Sequence, residues 1–394
     1  MNKRKAMLLI VPFLSIIFSV GVLNFVIDDK ETSKAENRTL QQMPTIENIK
    51  DKTFTSLFDT YYTDQFMFRD SIIKADIKWQ IFTKKSNVKG LYPSNNGWIM
   101  GGTEAYEKRE SDYKSTVNKI EKINKKVKSQ NKRMYYVSLP HKVNTLNYKY
   151  PKKYINKNYG MENQELFLSM LKKDNVNTID IGDYFLDKFS KSKLESFYFK
   201  TDHHWNSLGA YEAFKYIIED LNKTMGLDVN LSKYKYKTSY IKDKPFLGSY
   251  NNNLYGLFSK DENVPYVYMD RKYDNKYYEL KEGEFKSVPE NYIIGDGVNN
   301  EEISYEGAYT SNHSYYKVVN KDAKTKEKVL LIRDSYQAPL TWLFSDIFEE
   351  VEVVDLRKTD LNIDEILEKS DSSIVMLMFN NGLDVDSMLA DKIK

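Results

Sequence analysis

The chain has 394 residues, which suits one large domain with additions or two domains. Its 59 Lys and Arg nearly balance its 56 Asp and Glu, giving a formal charge of +3. This argues against a nucleic-acid-binding protein, whose basic residues cluster on one face. There is no Cys, which excludes disulfides, thiolate chemistry and Cys-based metal sites. Because the chain has no Cys and only 4 His, few side chains of the usual ligand types are present, and we expect neither a metal ion nor a cofactor.

The first element is an uncharged segment, residues 6–27, that follows a basic tip at 3–5. Asp28 and Asp29 come directly after it. At 1.5 Å per residue a helix of this length spans about 33 Å, enough to cross a hydrocarbon core. Because basic residues favour the cytoplasmic side, the pattern predicts a single-pass cell-membrane anchor with a cytoplasmic amino terminus and an extracellular remainder. A cleaved signal peptide is the alternative.

The second region, residues 28–90, is predicted to be a polar stalk followed by a helical lead-in. Residues 28–50 have few apolar anchors. Helical spacing then begins near Phe54 and continues through Ile77 and Ile81. These helices either pack on a core or form an interface with a partner, and the sequence leaves both open.

The remaining residues, 91–394, are predicted to form one α/β domain. Strands and helices alternate along it, except at 228–320, a segment rich in Tyr, Asn and Lys that we interpret as an insertion of loops and hairpins. This alternation predicts a mostly parallel sheet with helices on both faces. The predicted strands are 96–99, 134–139, 176–181, 265–269, 292–294, 329–332, 351–355 and 373–379. The predicted helices are 113–130, 165–173, 207–222, 339–348 and 363–369, and Asn206 is placed to cap the third.

Polar side chains follow several of the predicted strands. In such a sheet, ligands bind at the carboxyl ends of the strands. Ser335 follows the strand at 329–332 and precedes a helix, while the turn at 140–142 and the pair Asn380-Asn381 follow two other strands. A serine in this position is typical of a nucleophile at a strand-to-helix turn.

An Asp/His pair lies far from that serine in Asp202-His203-His204-Trp205, which contains two of the 4 His. Asp202 and His204 are separated by one residue, so in an extended backbone their side chains project to the same side. A carboxylate can then hold the imidazole in one tautomer. With Ser335, these are the components of a serine hydrolase or acyltransferase, whose order along the chain is not diagnostic.

The motifs Asp202-His203-His204-Trp205 and Asp334-Ser335-Tyr336 resemble those of the DHHW proteins of Gram-positive bacteria. That group is related to the SGNH-hydrolase-like domain of the alginate O-acetylation proteins. Further segments that carry the resemblance are 36–40, 62–66, 68–70, 246–249, 348–351 and 354–357. The resemblance implies an SGNH-hydrolase-like (flavodoxin-like) fold with a permuted motif order, because in ordinary SGNH esterases the serine comes first. It also implies that Asp202, His204 and Ser335 form a catalytic triad.

The roles within this triad follow from its chemistry. His204 would take the proton of Ser335 as general base and return it to the leaving group, while Asp202 fixes the other ring nitrogen. His203 is the alternative base, although its side chain should point away from that of Asp202. Asp334 is expected to brace the turn.

An oxyanion and a substrate need further contacts. The backbone N–H of Ser335 can donate to an oxyanion from its strand-to-helix turn. We predict Asn380 as the second donor, with Asn381 and Gly248 as alternatives. The predicted substrate contacts are Lys142, Trp205, Tyr336 and Arg333. For the two basic residues the ligand would be an anionic sugar group, with a surface or structural role as the alternative. For Trp205 it would be a stacked sugar, with a place in the core or in the wall of the site as the alternative.

The resemblance implies a membrane-anchored, extracytoplasmic O-acyltransferase that transfers an acyl group, acetyl in the related systems, to a cell-surface or exported polysaccharide. It also implies a membrane-bound O-acyltransferase partner that passes the acyl group across the membrane. One alternative is a polysaccharide acyl esterase of the same fold, which differs only in whether water or a sugar attacks the acyl-enzyme. The other is a non-catalytic protein of cell-envelope assembly or glycan binding.

Overall fold

The computed structural model describes residues 3–24, 26–36, 38–94, 96–242, 244–270, 274–294, 301–309 and 313–393. The chain divides into two compact units, Met1–Lys89 with Asn251–Leu257, and Gly90–Tyr250 with Phe258–Lys394. The functional boundaries predicted at 27/28 and 90/91 stay predictions. Met1 and Asn2, at the start of the predicted cytoplasmic tip, lie outside the described residues.

The first unit consists of helices and one short strand pair. Its elements are α1 (Lys3–Asn24), β1 (Thr32–Ser33), β2 (Arg38–Thr39), α2 (Ile46–Lys50), α3 (Phe54–Asp64) and α4 (Arg69–Phe82). β1 and β2 pair antiparallel, so the region predicted as a stalk has secondary structure of its own. Among the helices of the described residues, none is both long and apolar enough to cross a membrane, and the predicted anchor is unsupported.

A network of ion pairs joins β2 to α3 and α4. Arg38 donates from both terminal nitrogens to Asp64, at 2.8 Å to Oδ2 and 2.5 Å to Oδ1. Glu36 accepts from Arg38 Nε at 2.9 Å and from Arg69 Nη2 at 2.7 Å. The hydrogen bond from Arg38 outweighs burial and lowers the pKa of Asp64, which keeps this buried carboxylate ionised. Three of the segments that carry the resemblance therefore meet in this network.

The second unit is an α/β domain. Its strands are β3 (Tyr92–Pro93), β4 (Ile99–Met100), β5 (Arg133–Leu139), β6 (Asn177–Asp180), β7 (Tyr236–Ile241), β8 (Val264–Met269), β9 (Lys276–Lys281), β10 (Glu284–Val288), β11 (Tyr315–Val319), β12 (Lys328–Arg333), β13 (Glu350–Asp355) and β14 (Ile374–Asn380). The helices beyond residue 90 are α5 (Glu110–Ser129), α6 (Lys142–Thr145), α7 (Lys152–Ile155), α8 (Gly160–Lys173), α9 (Ile181–Lys188), α10 (Lys191–Glu195), α11 (Ser207–Met225), α12 (Ser249–Asn253), α13 (Glu290–Ile294), α14 (Tyr305–Tyr309), α15 (Leu340–Ile347), α16 (Ile363–Lys369) and α17 (Val385–Leu389).

An eight-stranded sheet forms the centre of the described part of this unit, in the order β10-β9-β11-β13-β12-β14-β5-β6. The strands from β13 to β6 are parallel, which confirms the predicted mostly parallel sheet. At the other edge β11, β9 and β10 extend the sheet antiparallel. The last strand of the chain, β14, lies between β5 and β12, so the carboxyl ends of these three strands are adjacent.

Helices cover both faces of the sheet, as predicted. In β12, Val329 and Leu331 pack into one core with α11 and α15. Leu330 and Ile332 pack into a second core with α5 and α16 on the opposite face. All four side chains are fully buried. This explains the uninterrupted apolar run of β12, since a parallel strand covered on both faces has no solvent side.

One strand prediction is wrong, and another is confirmed only at its last residue. The segment 292–294 lies in α13, because a run of three apolar residues does not distinguish a strand from a helix. The segment 96–99 contributes only β4, which pairs with β3 in a two-stranded sheet apart from the main one. Within 228–320, β7 and β8 form a separate antiparallel pair, whereas β9, β10 and β11 complete the main sheet.

Candidate active site

Turns at the carboxyl edge of the sheet meet a loop from elsewhere in the chain. The turn after β12 carries Ser335, the turn after β5 carries Lys142, and Asn380 ends β14. The loop is 202–205, directly before α11. Asn206 caps this helix as predicted, because its side chain accepts the N–H groups of the second and third helical residues. The cap fixes where the loop ends and the helix begins.

Ser335, His204 and Asp202 form a continuous chain of hydrogen bonds. Ser335 Oγ lies 2.8 Å from His204 Nε2, and His204 Nδ1 lies 2.7 Å from Asp202 Oδ1. Asp202 and His204 are buried, whereas Ser335 is partly exposed within an otherwise buried turn. Such an arrangement can supply a nucleophile, a general base and the carboxylate that orients the base.

The surroundings of Asp202 favour its ionised form. Its Oδ1 also accepts the His204 backbone N–H at 2.8 Å, and its Oδ2 accepts the Ser249 N–H at 2.6 Å. Burial alone would raise the pKa of Asp202, but the imidazoles of His204 and His203 and the Ser249 N–H hold it well below its ordinary value. The carboxylate therefore favours the tautomer with the proton on Nδ1 of His204, which leaves Nε2 free to accept a proton.

Asp334 braces the turn that presents Ser335, as expected from the sequence. Its Oδ1 accepts the Tyr336 N–H at 2.8 Å, and its Oδ2 accepts the backbone N–H and the Nδ2 of Asn380, each at 2.7 Å. Ser335 begins a 3-10 turn that ends at Gln337. Its N–H therefore has no acceptor inside the turn and can donate to an oxyanion.

Asn380 and Asn381, which we predicted as candidate oxyanion donors, have structural contacts. Asn380 Nδ2 donates to Asp334 Oδ2, the carboxylate that holds the turn of Ser335. Asn381 Oδ1 accepts the His141 N–H at 2.8 Å and Nδ2 of Asn144 at 3.1 Å. These bonds join the turns that follow β14 and β5. They give no support to a role of either Asn in binding an oxyanion.

Lys142 is fully buried beneath the loop that carries Asp202. Its Nζ donates to three backbone carbonyl oxygens, those of Ile99 at 2.8 Å, Lys200 at 2.9 Å and Asp202 at 2.7 Å. Burial lowers the pKa of Lys142 to about 7. An ammonium group has three donors, and here all three are used. The predicted contact between Lys142 and an anionic sugar does not fit this arrangement.

The other three predicted substrate contacts are also buried. Trp205 is 0 % exposed, and its Nε1 donates to the Tyr336 carbonyl oxygen at 2.7 Å. Tyr336, also 0 % exposed, donates its hydroxyl to the His203 carbonyl oxygen. Arg333 is 2 % exposed and donates to the Asp334 carbonyl oxygen at 3.3 Å. The burial of Trp205 fits the core role, and that of Arg333 the structural role, that we kept open for them. The hydrogen bonds of Trp205 and Tyr336 join the loop to the serine turn.

Three of the 4 His of the chain meet at the site. His203 Nδ1 lies 2.7 Å from Ser249 Oγ and 3.7 Å from Asp202 Oδ1, whereas the hydrogen bond of Ser335 Oγ is made with His204. The ring of His141 lies 6.2 Å from that of His203. Burial lowers the pKa of His203 well below its ordinary value and that of His141 to about 3. Both rings are therefore neutral at pH 7.

Tyr305, in α14, is a residue of the site that the sequence did not indicate. Its ring stacks on the imidazole of His204, with ring centroids 3.7 Å apart and planes inclined by 4°. Its hydroxyl donates to the carbonyl oxygen of Ser335 at 3.1 Å. Tyr305 lies within the segment predicted to be an insertion, where no local pattern relates it to either motif.

The segment 246–249 also supports the site. Its last residue, Ser249, provides the N–H that Asp202 accepts. The residue before it, Gly248, packs so closely on the loop that a Cβ atom would lie 2.3 Å from the Thr201 carbonyl oxygen. Only glycine fits such an approach of two backbones. The one signal in the sequence for this contact was the resemblance.

A metal ion has one candidate place at the site, since ligand atoms of Asp202, His203 and His204 all lie within 4.8 Å of one another. Two of these atoms, Asp202 Oδ1 and His204 Nδ1, share a hydrogen bond of 2.7 Å. A bound ion would have to break that bond. The donor set therefore fits an oriented general base better than a metal centre.

Comparisons with known proteins give the relationship of the chain. A solved structure of Bacillus cereus PatB1 is 22% identical, with a TM-score of 0.64 over 74% of this chain and 97% of that chain. The structure of a DHHW family protein from Eubacterium siraeum is 18% identical, with a TM-score of 0.53 over 78% of this chain and 97% of that chain. At these identities the likeness shows a shared fold.

No curated protein matches the chain. A family model described as "SGNH hydrolase-like domain, acetyltransferase AlgX" matches residues 91–295, just over half of the 394 residues. The match includes Asp202 and His204 and ends before Ser335. The predicted resemblance is confirmed, and the chain belongs to the family of the SGNH hydrolase-like domain of the acetyltransferase AlgX.

Proposed function

We propose that the protein is a serine O-acyltransferase that transfers an acyl group, acetyl in our expectation, to hydroxyl groups of a cell-surface or exported polysaccharide. The observation that carries the proposal is the unbroken hydrogen-bond chain from Ser335 Oγ through His204 to Asp202. The description of the matched family as an acetyltransferase supports the choice of acyl transfer.

The reaction proceeds in two halves. Ser335 Oγ attacks the carbonyl carbon of the acyl donor while His204 Nε2 takes the Ser335 proton. The tetrahedral intermediate, with its oxyanion on the Ser335 N–H, collapses and releases the leaving group, which takes the proton back from His204. A sugar hydroxyl then attacks the acyl-enzyme and gives its proton to His204. Collapse of the second intermediate releases the sugar ester and returns the proton to Ser335.

We also propose that the acyltransferase domain works outside the cell, held at the membrane beside a membrane-bound O-acyltransferase that delivers the acyl group. The basic tip followed by the uncharged segment 6–27 supports this location. Protease treatment of intact cells tests it, because an exported domain is digested while a cytoplasmic marker protein survives. Survival of the domain under those conditions would refute the location.

The test of the chemistry uses Ser335→Ala together with covalent labelling. In one of the related solved structures, PatB1 of Bacillus cereus carries a sulfonyl adduct. We expect a sulfonyl fluoride to modify Ser335 of the wild-type chain, identified by peptide mass spectrometry, and to leave Ser335→Ala unmodified. The variant should also lose acyl transfer from p-nitrophenyl acetate to oligosaccharide acceptors while keeping the wild-type melting temperature.

Measured transfer by Ser335→Ala at the wild-type rate would refute the proposal. Measurement of both products separates transfer from hydrolysis, because an esterase releases acetate at the same rate with or without acceptor. Formation of the sugar ester that rises with acceptor concentration supports the transferase.

A further inference from the structure

The second unit contains a pocket of about 440 Å³ whose lining residues are not those of the triad. This volume falls in the range of about 300–1,000 Å³ that is usual for small-molecule sites. Five aromatic side chains contribute to its walls: Tyr266, Tyr268, Tyr277, Tyr309 and Trp342. Aromatic rings provide flat, apolar surfaces with polar edges, which suit the faces of sugar rings.

Residues that follow each of the two motifs in the sequence line the pocket. Ser207, which lines the pocket, is three residues beyond His204, and Pro339, also in the lining, is four residues beyond Ser335. A second connection runs through the rings of α14.

In that connection, Tyr305 stacks on His204 with ring centroids 3.7 Å apart, and the ring of Tyr309 lies 5.1 Å from that of Tyr305. Tyr309 is itself part of the pocket lining. A ligand in the pocket therefore lies two ring contacts from the imidazole of the proposed base.

The charges of the lining restrict the ligand. Glu290 and Asp346 contribute carboxyl groups, and none of the described lining residues is Lys, Arg or His. Asn275 and two serines add neutral polar groups. Carboxylates accept hydrogen bonds from hydroxyl groups but repel other anions. The lining is therefore suited to an uncharged sugar and unsuited to a uronic acid or a phosphorylated sugar.

We propose that this aromatic pocket binds an uncharged sugar residue of the acceptor polysaccharide, close to the residue that receives the acyl group. The inference rests on the proposed function for the identity of the acceptor. The inference goes beyond the proposed function in two ways. The acceptor is a neutral polysaccharide, built of hexose or N-acetylhexosamine units, and the aromatic walls of the pocket recognise it.

The test compares two exposed tyrosines of the β7–β8 pair. Tyr266, 37 % exposed, lines the pocket, whereas Tyr240, 42 % exposed, is not among its lining residues. Because both are surface residues of the same strand pair, Tyr240→Ala is a matched control for Tyr266→Ala. Binding of neutral tetrasaccharides of hexose and N-acetylhexosamine units, and of tetragalacturonic acid, is measured by titration calorimetry on the full chain.

We expect the wild-type chain and Tyr240→Ala to bind at least one neutral tetrasaccharide with equal affinity. Tyr266→Ala should bind it about tenfold more weakly, and tetragalacturonic acid should not bind. Tenfold corresponds to about 1.4 kcal/mol, near the value of one aromatic contact. The inference is overturned if no neutral tetrasaccharide binds at millimolar concentration, if Tyr266→Ala binds like the wild type, or if the anionic tetrasaccharide binds as well as the neutral ones.

The same titrations on Ser335→Ala separate this inference from the proposed function. Binding should be unchanged in that variant, because Ser335 does not line the pocket. If acyl transfer fails in the wild type while neutral sugars still bind through Tyr266, the function fails and the pocket assignment stands. If transfer occurs but Tyr266→Ala binds acceptor normally, the pocket assignment fails alone.

Discussion

An Asp202→Asn variant tests the hydrogen bonds of the triad most directly. Asp202 acts as an acceptor on both oxygens, toward His204 Nδ1 and backbone N at 2.7 and 2.8 Å and toward the Ser249 N–H at 2.6 Å. An amide keeps one acceptor oxygen and replaces the other with an NH2 donor. With its oxygen toward His204, the NH2 group meets the Ser249 N–H, and the unmade bond costs about 1–3 kcal/mol.

In the flipped orientation the amide NH2 donates to Nδ1 of His204. The ring proton then lies on Nε2, which can no longer accept the proton of Ser335. Loss of the correct tautomer in a serine triad lowers turnover on the order of 10⁴-fold. That factor corresponds to about 5.4 kcal/mol in the activation barrier. Both orientations of the introduced amide are therefore unfavourable, the first for stability and the second for catalysis.

Steady-state hydrolysis of p-nitrophenyl acetate at pH 7 measures the effect. The matched control is Asp180→Asn, because Asp180 accepts the Gly182 and Asp183 N–H groups as a helix cap, a role that Asn fills equally well. We expect the control to keep wild-type turnover. If Asp202→Asn retained more than about a tenth of the wild-type rate, Asp202 would not set the tautomer of His204, and the reasoning above would be refuted.

Three further predictions concern the support of the site and the stability of the two units. Gly248→Ala should lower turnover about 100-fold, because the added Cβ forces the loop that carries Asp202 and His204 to shift. The control is Gly102→Ala, which should keep wild-type turnover because a Cβ atom there has no neighbour within 4 Å. Equal turnover of the two variants would contradict this. In urea titrations Arg38→Ala should lower the free energy of unfolding by about 1.5–3 kcal/mol, because its ion pair reaches a buried carboxylate. The exposed ion pair of Lys30 is the control, and Lys30→Ala should cost less than about 1 kcal/mol, so similar losses would count against the argument. Burial lowers the pKa of Lys142 from 10.5 to about 7, so between these values the unfolded chain binds a proton that the folded protein does not. The free energy of unfolding should then rise with pH across that interval, and Lys142→Met should remove the rise; an unchanged slope would show that this group is not responsible.

The parallel strands of the sheet could be predicted because their burial on both faces leaves apolar runs in the sequence. The strands at 134–139, 329–332 and 351–355 were found because parallel strands covered on both faces are rich in apolar residues. The edge formed by β9, β10 and β11 was not predicted. Polar and apolar residues are mixed in these antiparallel strands, so their composition resembles that of the surrounding loops. Pairing of β11 with β13, which joins this edge to the rest of the sheet, is a long-range contact that no local window contains.

The two motifs by themselves supplied the components of a triad, and the resemblance implied that these components act together. The partial exposure of Ser335 among buried neighbours depends on how two cores close around one turn. Trp205, Tyr336 and Arg333 were expected to contact a substrate because they are close in sequence to the triad. Their burial follows from packing between elements that are more than a hundred residues apart. Tyr305 was missed because α14 carries no motif.

The position of β14 between β5 and β12 has a consequence for the order in which the protein folds. Among the strands of this sheet that the structure describes, β14 is synthesised last, so a growing chain cannot join β5 to β12 until Ile374–Asn380 have emerged. Such distant pairing delays folding, since the loop must close before any contact stabilises it. A chain stopped before Ile374 would keep five strands on one side and the pair β5-β6 on the other, and the edges of β12 and β5 that β14 covers would be open to association between molecules.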